Sequence, residues 1–316
     1  MRHLLSIADL SRSDIERIMT IAESFAEVVE RDIKKVPTLR GRTIVNLFYE
    51  SSTRTSSSFE LAAKRLSADV VTVKAAGSAV DKGESLKDTI ATLSAYDPAA
   101  IVIRSPWAGA AALVARWSAA SVVNAGDGKH EHPSQALLDV FTLKRRLGSL
   151  DGLEIWIVGD VLHSRVARSN VLAFTSMGAN VTVCGPPTLI PRDVESLGCR
   201  VEYDLERLRE ADVVYALRMQ RERMTDAFVP SLREYAARYQ IDARRLEPRQ
   251  LLMHPGPVNR GVELAAEVID SPQALITEQV AAGLVVRMAI LFDLLSGGGE
   301  SGAATRIPVP TVEQPA

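Results

Sequence analysis

Residues 41–66 read GRTIVNLFYESSTRTSSSFELAAKRL and hold the pattern that decides the fold. The apolar run TIVNLF is typical of a buried strand, and Phe59, Ala62 and Leu66 then share one face of a helix. Further strand-like runs follow at DVVTVK, AIVIR and SVVN, with a helical stretch between the last two. This alternation of strands and helices predicts a parallel sheet covered by helices.

The second half of the chain repeats that alternation. HPSQALLDVFTLKRRLG is predicted to form a helix, with Pro133 near its start and Gly148 just past its end. LEIWIVG, NVTVCG, RVEY and DVVYALR predict four strands, residues 164–177 predict a helix, and a last helix is expected at about 275–295. We therefore expect an α/β protein of two domains, each a parallel β-sheet flanked by helices, with the C-terminal helix returning to the N-terminal domain.

The expected domain boundaries follow from this pattern. Residues 1–132 with 285–296 are predicted to form the first domain, and 133–284 the second. A Gly-, Ser- and Pro-rich tail at 297–316 is predicted to be disordered. Near the N-terminus, Ile15, Ile18 and Phe25 recur at helical spacing behind a possible capping box from Ser13 to Glu16.

Composition narrows the classes of function. The chain has 316 residues, of which 47% are hydrophobic and 24% charged, as in a globular protein of two ordinary domains. A net charge of −2 gives no sign of a nucleic-acid-binding surface, so any affinity for anions must be local. Cys184 and Cys199 are too few for a disulfide framework. The sequence shows no signal peptide and no uninterrupted apolar run of about 18 residues, so we expect a soluble, cytoplasmic protein without a membrane partner.

The segment SSTRT, at residues 51–55, is a candidate anion site. It stands where a strand ends and a helix begins, and there unpaired backbone N–H groups and the helix dipole favour an anion. Arg54 can give two parallel hydrogen bonds to phosphate oxygens. The alternative is that Ser52 or Thr53 only caps the helix. Capping accounts for one hydroxyl group but not for the arginine beside it.

Three more clusters in the first half remain open on the residues alone. The stretch GSAVDKGESLKDT is typical of a solvated loop. Arg104 ends the AIVIR strand, where open α/β sheets bind ligands, but it could equally be a surface arginine. His130 and His132 suggest a metal, yet only Glu131 stands near them as a third ligand, so a zinc site is not expected.

The second half adds cations and a rigid turn. GDVLHSR follows a strand, but it lacks the G-x-G-x-x-G spacing of a dinucleotide site, and Arg165 places a cation there instead. LRMQRERM places Arg218, Gln220 and Arg221 close together. For Arg221 a position on a solvated basic surface is the simpler interpretation. In LLMHPGPVNRG two prolines flank Gly256, which predicts a rigid turn with free carbonyl groups.

Six segments together resemble the catalytic chains of the aspartate transcarbamoylase (aspartate carbamoyltransferase) family. They are SSTRTSSSFE, KGES, GDGxxxHPSQALLD, GDxxxSR, RxQxER and HPGPVNRG, in family order along nearly the whole chain except the tail. The resemblance implies a transferase that moves the carbamoyl group of carbamoyl phosphate to the α-amino group of L-aspartate, in pyrimidine (UMP) biosynthesis. It implies no cofactor and no metal. It also implies a homotrimer with shared active sites, and leaves open a regulatory chain or a dihydroorotase partner.

The resemblance also implies site residues at matching positions. The expected carbamoyl-phosphate ligands, in the first domain and the turn, are Ser52, Thr53, Arg54, Thr55, Ser78, Arg104, His132, Gln135, Gly256 and Pro257. The expected L-aspartate ligands, in the second domain and the loop, are Lys82, Arg165, Arg218 and Gln220. The expected catalytic residues are Arg54, Thr55, Lys82, Arg104, His132 and Gln135.

The family's roles can be carried over with the residues. Thr55, Arg104 and His132 would contact the carbonyl oxygen, and Gln135 the carbamoyl nitrogen. Ser78 and Lys82 would reach a neighbouring subunit's site, which replaces the solvated-loop interpretation. Glu50 and Arg223 match residues that bridge the domains in the closed form. The carbonyl groups around Gly256 and Pro257 would accept hydrogen bonds from the reacting amino groups.

The sequence departs from the family's pattern at one position, and two alternatives to the assignment are left. Gly256 stands where some members carry leucine or alanine, so the turn is expected to be looser. The ornithine transcarbamoylase family shares STRT but typically has Arg directly after it and Cys in HPxQ, where this chain has Ser56 and Ser134. Arg165 and Arg218 would also repel an ornithine ammonium group. A carbamoyltransferase for another amino acid and an inactive regulatory or scaffold paralogue are the alternatives.

Overall fold

The computed structural model describes residues 1–74, 83–220 and 228–296. The first sheet consists of the strands β1 (Thr43–Phe48), β2 (Asp69–Lys74), β3 (Ala100–Ser105) and β4 (Ser121–Asp127). The second consists of β5 (Glu154–Val158), β6 (Asn180–Cys184), β7 (Arg200–Glu202), β8 (Val213–Ala216) and β9 (Leu251–Met253).

Helices flank both sheets. The α-helices are α1 (Arg12–Glu30), α2 (Thr53–Arg65), α3 (Leu86–Ser94), α4 (Ala110–Trp117), α5 (Pro133–Leu147), α6 (Arg165–Ser176), α7 (Leu232–Tyr239), α8 (Ala266–Ile269) and α9 (Ile276–Ser296). Short 3₁₀ turns lie at Pro37–Leu39, Pro187–Leu189, Val194–Leu197 and Leu208–Glu210.

All strand pairs in both sheets are parallel, as the sequence predicts. The first sheet has the order β2-β1-β3-β4 and the second the order β7-β6-β5-β8-β9. The α/β prediction is therefore confirmed. The strand that the sequence did not predict is β9, which has three residues and adds to β8 at one edge.

Each sheet has one topological switch point, where the strand order reverses. In each sheet the chain builds outward on one side of its first strand and then crosses to the other side, between β1 and β3 and between β5 and β8. Open α/β sheets bind ligands outside the carboxyl ends of their strands at such points. SSTRT follows β1, Arg104 lies in β3, Arg165 opens the helix after β5 and Arg218 follows β8. The topology thus places four of the expected site segments at the switch points, where a ligand would bind.

Helix α1 begins two residues earlier than the predicted capping box requires. Ser11 is its N-cap, and the Ser11 Oγ accepts from the Asp14 N–H at 3.2 Å while the Ser11 N–H donates to Asp14 Oδ2 at 3.0 Å. The predicted box from Ser13 to Glu16 is wrong, because Ser13 is already inside the helix. The apolar face is as expected, since Ile15, Ile18 and Phe25 are buried.

The C-terminal helix α9 returns to the first sheet's layer, as expected, and packs on α1, α2 and α5. Among the described residues it is the one helix long and apolar enough to cross a membrane, yet 67% of its apolar stretch is buried inside the protein. The core helix of a globular protein has the same length and composition. Asp293 near its end binds the Arg17 guanidinium, with Nε to Oδ1 at 2.8 Å.

Helix α5 contacts both layers, with α1 and β4 on one side and α6 on the other. It starts at Pro133 and is closed by Gly148, whose N–H donates to the Lys144 carbonyl at 2.8 Å. The boundary at residues 132 and 133 stays a prediction. The predicted tail at 297–316 lies outside the described residues.

Candidate active site

One cleft of roughly 1330 Å³ lies where the carboxyl ends of the two sheets meet. Twelve of the expected site residues line it, and they come from the end of β3, from loops after five other strands or from the helices that follow those loops. They are Ser52, Thr53, Arg54, Thr55, Arg104, His132, Gln135, Arg165, Arg218, Gln220, Gly256 and Pro257. Ser78, Lys82 and Arg223 lie outside the described residues.

The N-terminus of α2 forms one wall of the cleft. Ser52 is the N-cap, and its Oγ accepts from the Thr55 N–H at 3.4 Å. The capping role considered for Ser52 is therefore real. It leaves the other N–H groups of the first turn without helical acceptors, so this end of the helix keeps its attraction for an anion.

Arg54 stands in this wall as a cation that forms no ion pair with any described residue. Its guanidinium packs against Gly256, where an added Cβ would lie 2.6 Å from Arg54 Nη1. Burial, and secondly the charge of Arg218, lower the Arg54 pKa below its ordinary value. Two like charges held together in a partly buried site favour an anionic ligand.

The turn after β9 is tied down rather than loose. The His254 Nδ1 accepts from the Gly256 N–H at 2.8 Å, and His254 Nε2 lies 3.3 Å from Glu263 Oε1. Gly256 has a φ of +60°, and the peptide bond to Pro257 is cis. Glycine suits the position twice over, because the backbone is left-handed and Arg54 leaves no room for a side chain.

Glu50 joins the two walls of the cleft. It follows β1, and its Oε2 lies 3.5 Å from Arg104 Nε and forms a short ion pair with Arg165 Nη2. Arg104 also donates from Nη1 to Thr55 Oγ1 at 3.5 Å and to the Ala125 carbonyl at 3.4 Å. A single carboxylate therefore holds one arginine from β3 of the first sheet and one from the start of α6, which follows β5 of the second.

The second wall carries two more cations, Arg165 and Arg218. Arg165 is only 3% exposed, and its Nη1 has no hydrogen-bond partner in the described parts of the chain. The guanidinium lies over Gly126, where a Cβ would approach Nη1 to 3.0 Å. Near Arg218, the Gln220 N–H donates to Asp160 Oδ2 at 3.2 Å, which ties the loop after β8 to the loop after β5.

His132 and Gln135 enter the cleft from the start of α5. The His132 N–H donates to Ser169 Oγ at 2.9 Å, and that hydroxyl donates to Glu131 Oε2 at 3.0 Å. Glu131 also accepts from the Ile7 N–H at 2.9 Å, so its carboxylate turns to the N-terminal segment. Within the described ranges, no group of three His, Cys, Asp or Glu side chains is placed to hold a metal ion.

Sequence reasoning missed the buried groups beneath the cleft. Arg287 of α9 lines it, donates from Nη1 to Ser58 Oγ at 2.8 Å, and has a pKa that burial lowers to about 10. Asp139 of α5 is fully buried and contacts Gln279 of α9. Their sequence signal is a charged residue inside an apolar helix, which is rare unless the charge is paired or functional.

Comparison with known proteins agrees with the geometry. The family model described as Aspartate/ornithine carbamoyltransferase, carbamoyl-P binding domain, matches residues 2–145, and the corresponding Asp/Orn binding domain model matches residues 151–294. The aspartate carbamoyltransferase catalytic subunit of Acidothermus cellulolyticus is 57% identical over 98% of this chain and 97% of its own length. That of Thermobifida fusca is 55% identical over 94% and 96%.

Solved structures give the same result. Aspartate transcarbamoylase from Trypanosoma cruzi in complex with N-(phosphonacetyl)-L-aspartic acid has a TM-score of 0.84 at 32% identity, covering 93% of this chain and 96% of its own. The catalytic subunit of M. jannaschii aspartate transcarbamoylase has a TM-score of 0.82 at 37% identity, covering 94% and 99%. With both halves matched, the chain belongs to the aspartate/ornithine carbamoyltransferase family and, within it, to the aspartate carbamoyltransferase catalytic subunits.

Proposed function

We propose that this chain transfers the carbamoyl group of carbamoyl phosphate to the α-amino group of L-aspartate, giving N-carbamoyl-L-aspartate and phosphate. One observation carries the proposal. The cleft has an anion-binding helix N-terminus with Arg54 on one wall and Arg165 with Arg218 on the other, so a phosphorylated donor and a dicarboxylate can be bound face to face. Relatives of the same design are aspartate transcarbamoylases, one of them solved with carbamoyl phosphate and aspartate together.

The donor lies against the first wall in this proposal. Its phosphate is held by the first turn of α2 and by the Arg54 guanidinium, which can form two parallel hydrogen bonds. Thr55 and Arg104, which are already in contact, and His132 face the carbonyl oxygen. Donors in these places stabilise the charge that develops on that oxygen, and removing one such donor typically costs about 10²–10³ in rate.

The acceptor lies against the second wall. Arg165 Nη1, buried and without a partner among the described residues, provides a donor for one carboxylate of aspartate. Arg218 and Gln220 are placed for the other. Binding in a fixed orientation brings the amine to the carbonyl carbon and removes much of the entropic barrier.

The bond changes need only the two substrates. The neutral α-amine attacks the carbonyl carbon and forms an N–C bond, and the C–O bond to phosphate breaks as the tetrahedral species collapses. We assign the amine proton to the departing phosphate dianion. The many cations have a physical reason here, since two anionic substrates repel each other until the charges around them are balanced.

A product assay tests this function. Purified protein is given carbamoyl phosphate with L-aspartate, L-ornithine or N-acetyl-L-ornithine, and the carbamoylated product is measured for each. We expect turnover with aspartate at least 10³-fold above the other two, because Arg165 and Arg218 disfavour an ammonium group. Turnover with ornithine alone, or with none of the three, would overturn the proposal.

We further propose a homotrimer in which Ser78 and Lys82 complete a neighbouring subunit's site, on the basis of the KGES segment. Inactive Lys82→Ala chains are unfolded and refolded together with inactive Arg54→Ala chains. If sites are shared, a mixed trimer contains sites with neither defect and activity returns. Refolded mixtures that form trimers but stay inactive would contradict shared sites.

A further inference from the structure

Asp139 lies directly beneath the cleft, one helical turn after Gln135 on α5, and is fully buried. Its carboxylate accepts four hydrogen bonds. Oδ1 accepts from Gln135 Nε2 at 3.1 Å and from Gln279 Nε2 at 2.7 Å. Oδ2 accepts from Asn170 Nδ2 at 3.0 Å and from the Tyr215 hydroxyl at 2.7 Å. Three helices and a strand therefore converge on one buried anion.

The four contacts decide which way the Gln135 amide faces. An ionised carboxylate has about four lone-pair positions and no hydrogen to donate. Each position is used here, so the nitrogen end of Gln135 must face Asp139. The oxygen end, Oε1, is then turned away, and no hydrogen bond between described residues uses it. Gln135 lines the cleft, so this oxygen is the acceptor that the side chain offers to a ligand.

The same carboxylate also reaches the opposite side of the cleft. Gln279, held by Asp139, accepts from the His254 N–H on its Oε1 at 3.0 Å. His254 in turn accepts from the Gly256 N–H at 2.8 Å. The turn at 254–257 is thus positioned through Gln279. One buried anion fixes two sets of acceptors in the same cleft.

We propose that Asp139 is a positioning residue that makes the site select a carbamoyl –NH₂ group over an acyl –CH₃ group, by fixing Gln135 Oε1 and the turn at 254–257 as hydrogen-bond acceptors. This rests on the proposed function. The –NH₂ group has two hydrogens to donate, whereas –CH₃ has none and leaves buried acceptors unpaired. A site built to accept from such a group rejects an isostere that lacks it.

Two phosphonates test this selectivity, because they differ only at the recognised group. Phosphonoacetamide carries –NH₂ and acetonylphosphonate carries –CH₃ at the same position. Their inhibition constants against carbamoyl phosphate are measured for the wild-type protein and for Asp139→Ala. We expect the wild-type protein to bind the amide about tenfold more tightly than the ketone. In Asp139→Ala the two constants should lie within about twofold, mainly through weaker binding of the amide.

Two further variants separate positioning from mere structural support. In Asp139→Asn the new Oδ1 can accept from both glutamines, while Tyr215 and Asn170 turn to accept from its Nδ2, so the tenfold preference should return. Tyr215→Phe removes one donor from Oδ2, whereas both glutamines donate to Oδ1, so it should lower stability while leaving the preference unchanged. A preference that falls equally in Tyr215→Phe and Asp139→Ala would overturn the proposal.

Asp139→Ala leaves four donors without an acceptor, so folding is checked by circular dichroism and gel filtration. If it does not fold, the triple variant Asp139→Leu, Asn170→Leu, Tyr215→Phe keeps the volume and removes the two far donors with the carboxylate. A folded variant without Asp139 that keeps the tenfold preference sinks the inference. A wild-type protein that binds both phosphonates equally also sinks it, but leaves the proposed reaction intact. A wild-type protein that does not turn over carbamoyl phosphate fails the proposed function itself.

Discussion

The two walls of the cleft are placed by the same rule of topology but are built in different ways. Each lies at the switch point of a parallel sheet. The donor wall is made largely of backbone, with the first turn of α2 and an arginine, Arg54, that forms no ion pair with a carboxylate in the described ranges. The acceptor wall is made of side chains, and its buried Arg165 is already paired with Glu50.

The difference indicates how each wall is held in its binding conformation before the ligand arrives. A helix N-terminus is fixed by the fold and needs no partner to hold it, so the donor wall is formed in advance. A buried guanidinium needs a counter-charge while no ligand is bound, and Glu50 supplies it. We therefore expect changes in the donor wall to act on phosphate binding and changes at Glu50 to act on aspartate.

The largest expected effect comes from Arg54→Ala. The change removes the guanidinium that the proposal assigns to the phosphate, so kcat should fall at least ~10³-fold and the inhibition constant for phosphate should rise. Stability should not fall, because Arg54 is partly buried beside the like charge of Arg218. Steady-state kinetics and thermal melting check both points. Arg12→Ala, which removes an exposed ion pair with Asp151, is the control, and near-normal turnover in Arg54→Ala would contradict the phosphate assignment.

A second change, Glu50→Gln, acts on the other wall. It leaves Arg165 buried without its anion and releases Arg104, so kcat/KM for aspartate should fall about 30- to 100-fold, or ~2–3 kcal/mol. Phosphate inhibition should change far less. Glu60→Gln, which breaks an exposed pair with Lys64 on α2, should have no effect. If phosphate and aspartate were affected equally, the contrast between the walls would be false.

The third prediction concerns Asp139, which lies beneath both walls of the cleft. Burial raises the pKa of Asp139 to about 6 from an ordinary value of 3.8. Between these values the folded chain binds a proton that the unfolded chain does not. The contribution of this proton to the free energy of unfolding is therefore full below about pH 4 and is lost as the pH rises through 6. The loss corresponds to about 3 kcal/mol.

Denaturant unfolding of wild type and Asp139→Asn at a series of pH values measures this effect. The variant has no titrating group at 139. The difference in free energy of unfolding, variant minus wild type, should therefore rise by about 3 kcal/mol between pH 4 and pH 7. A constant difference between the two proteins would mean that the Asp139 pKa is not raised by the fold.

The smallest effect is expected from Gly256→Ala. The new Cβ would lie 2.6 Å from Arg54 Nη1 in a left-handed backbone, so Arg54 must shift and phosphate should bind about 3- to 10-fold more weakly. Gly261→Ala is the matched control, since its φ is +83° but nothing lies within 4 Å of the added Cβ. Equal phosphate affinity in both variants would show that the approach to Arg54 has no effect.

Local sequence signals predicted most of the fold and the positions of the site. Strands that contain a short apolar run, such as β1 and β4, were predicted, and the segments that follow them meet because parallel strands share one carboxyl edge. The three-residue β9 was not predictable in this way, because it is defined by pairing with β8. The capping box was displaced by two residues, because two serines offer the same local pattern.

The groups beneath the cleft could not be predicted, for a different reason. Asp139 and Gln279 are 140 residues apart in the chain and meet only because α5 packs on α9. Arg287 reaches Ser58 across 229 residues in the same manner. An isolated charge in an apolar helix signals that a partner exists, but the identity of the partner depends on tertiary packing.

The return of α9 has a consequence for how the protein is made. Gln279 and Arg287 complete the floor of a cleft whose first wall is encoded by residues 51–55. During synthesis the donor wall therefore leaves the ribosome more than 200 residues before its floor exists. A partly made chain would carry Arg54 and Arg165 without the helix that completes their cleft, so the site cannot be finished before α9 has been made.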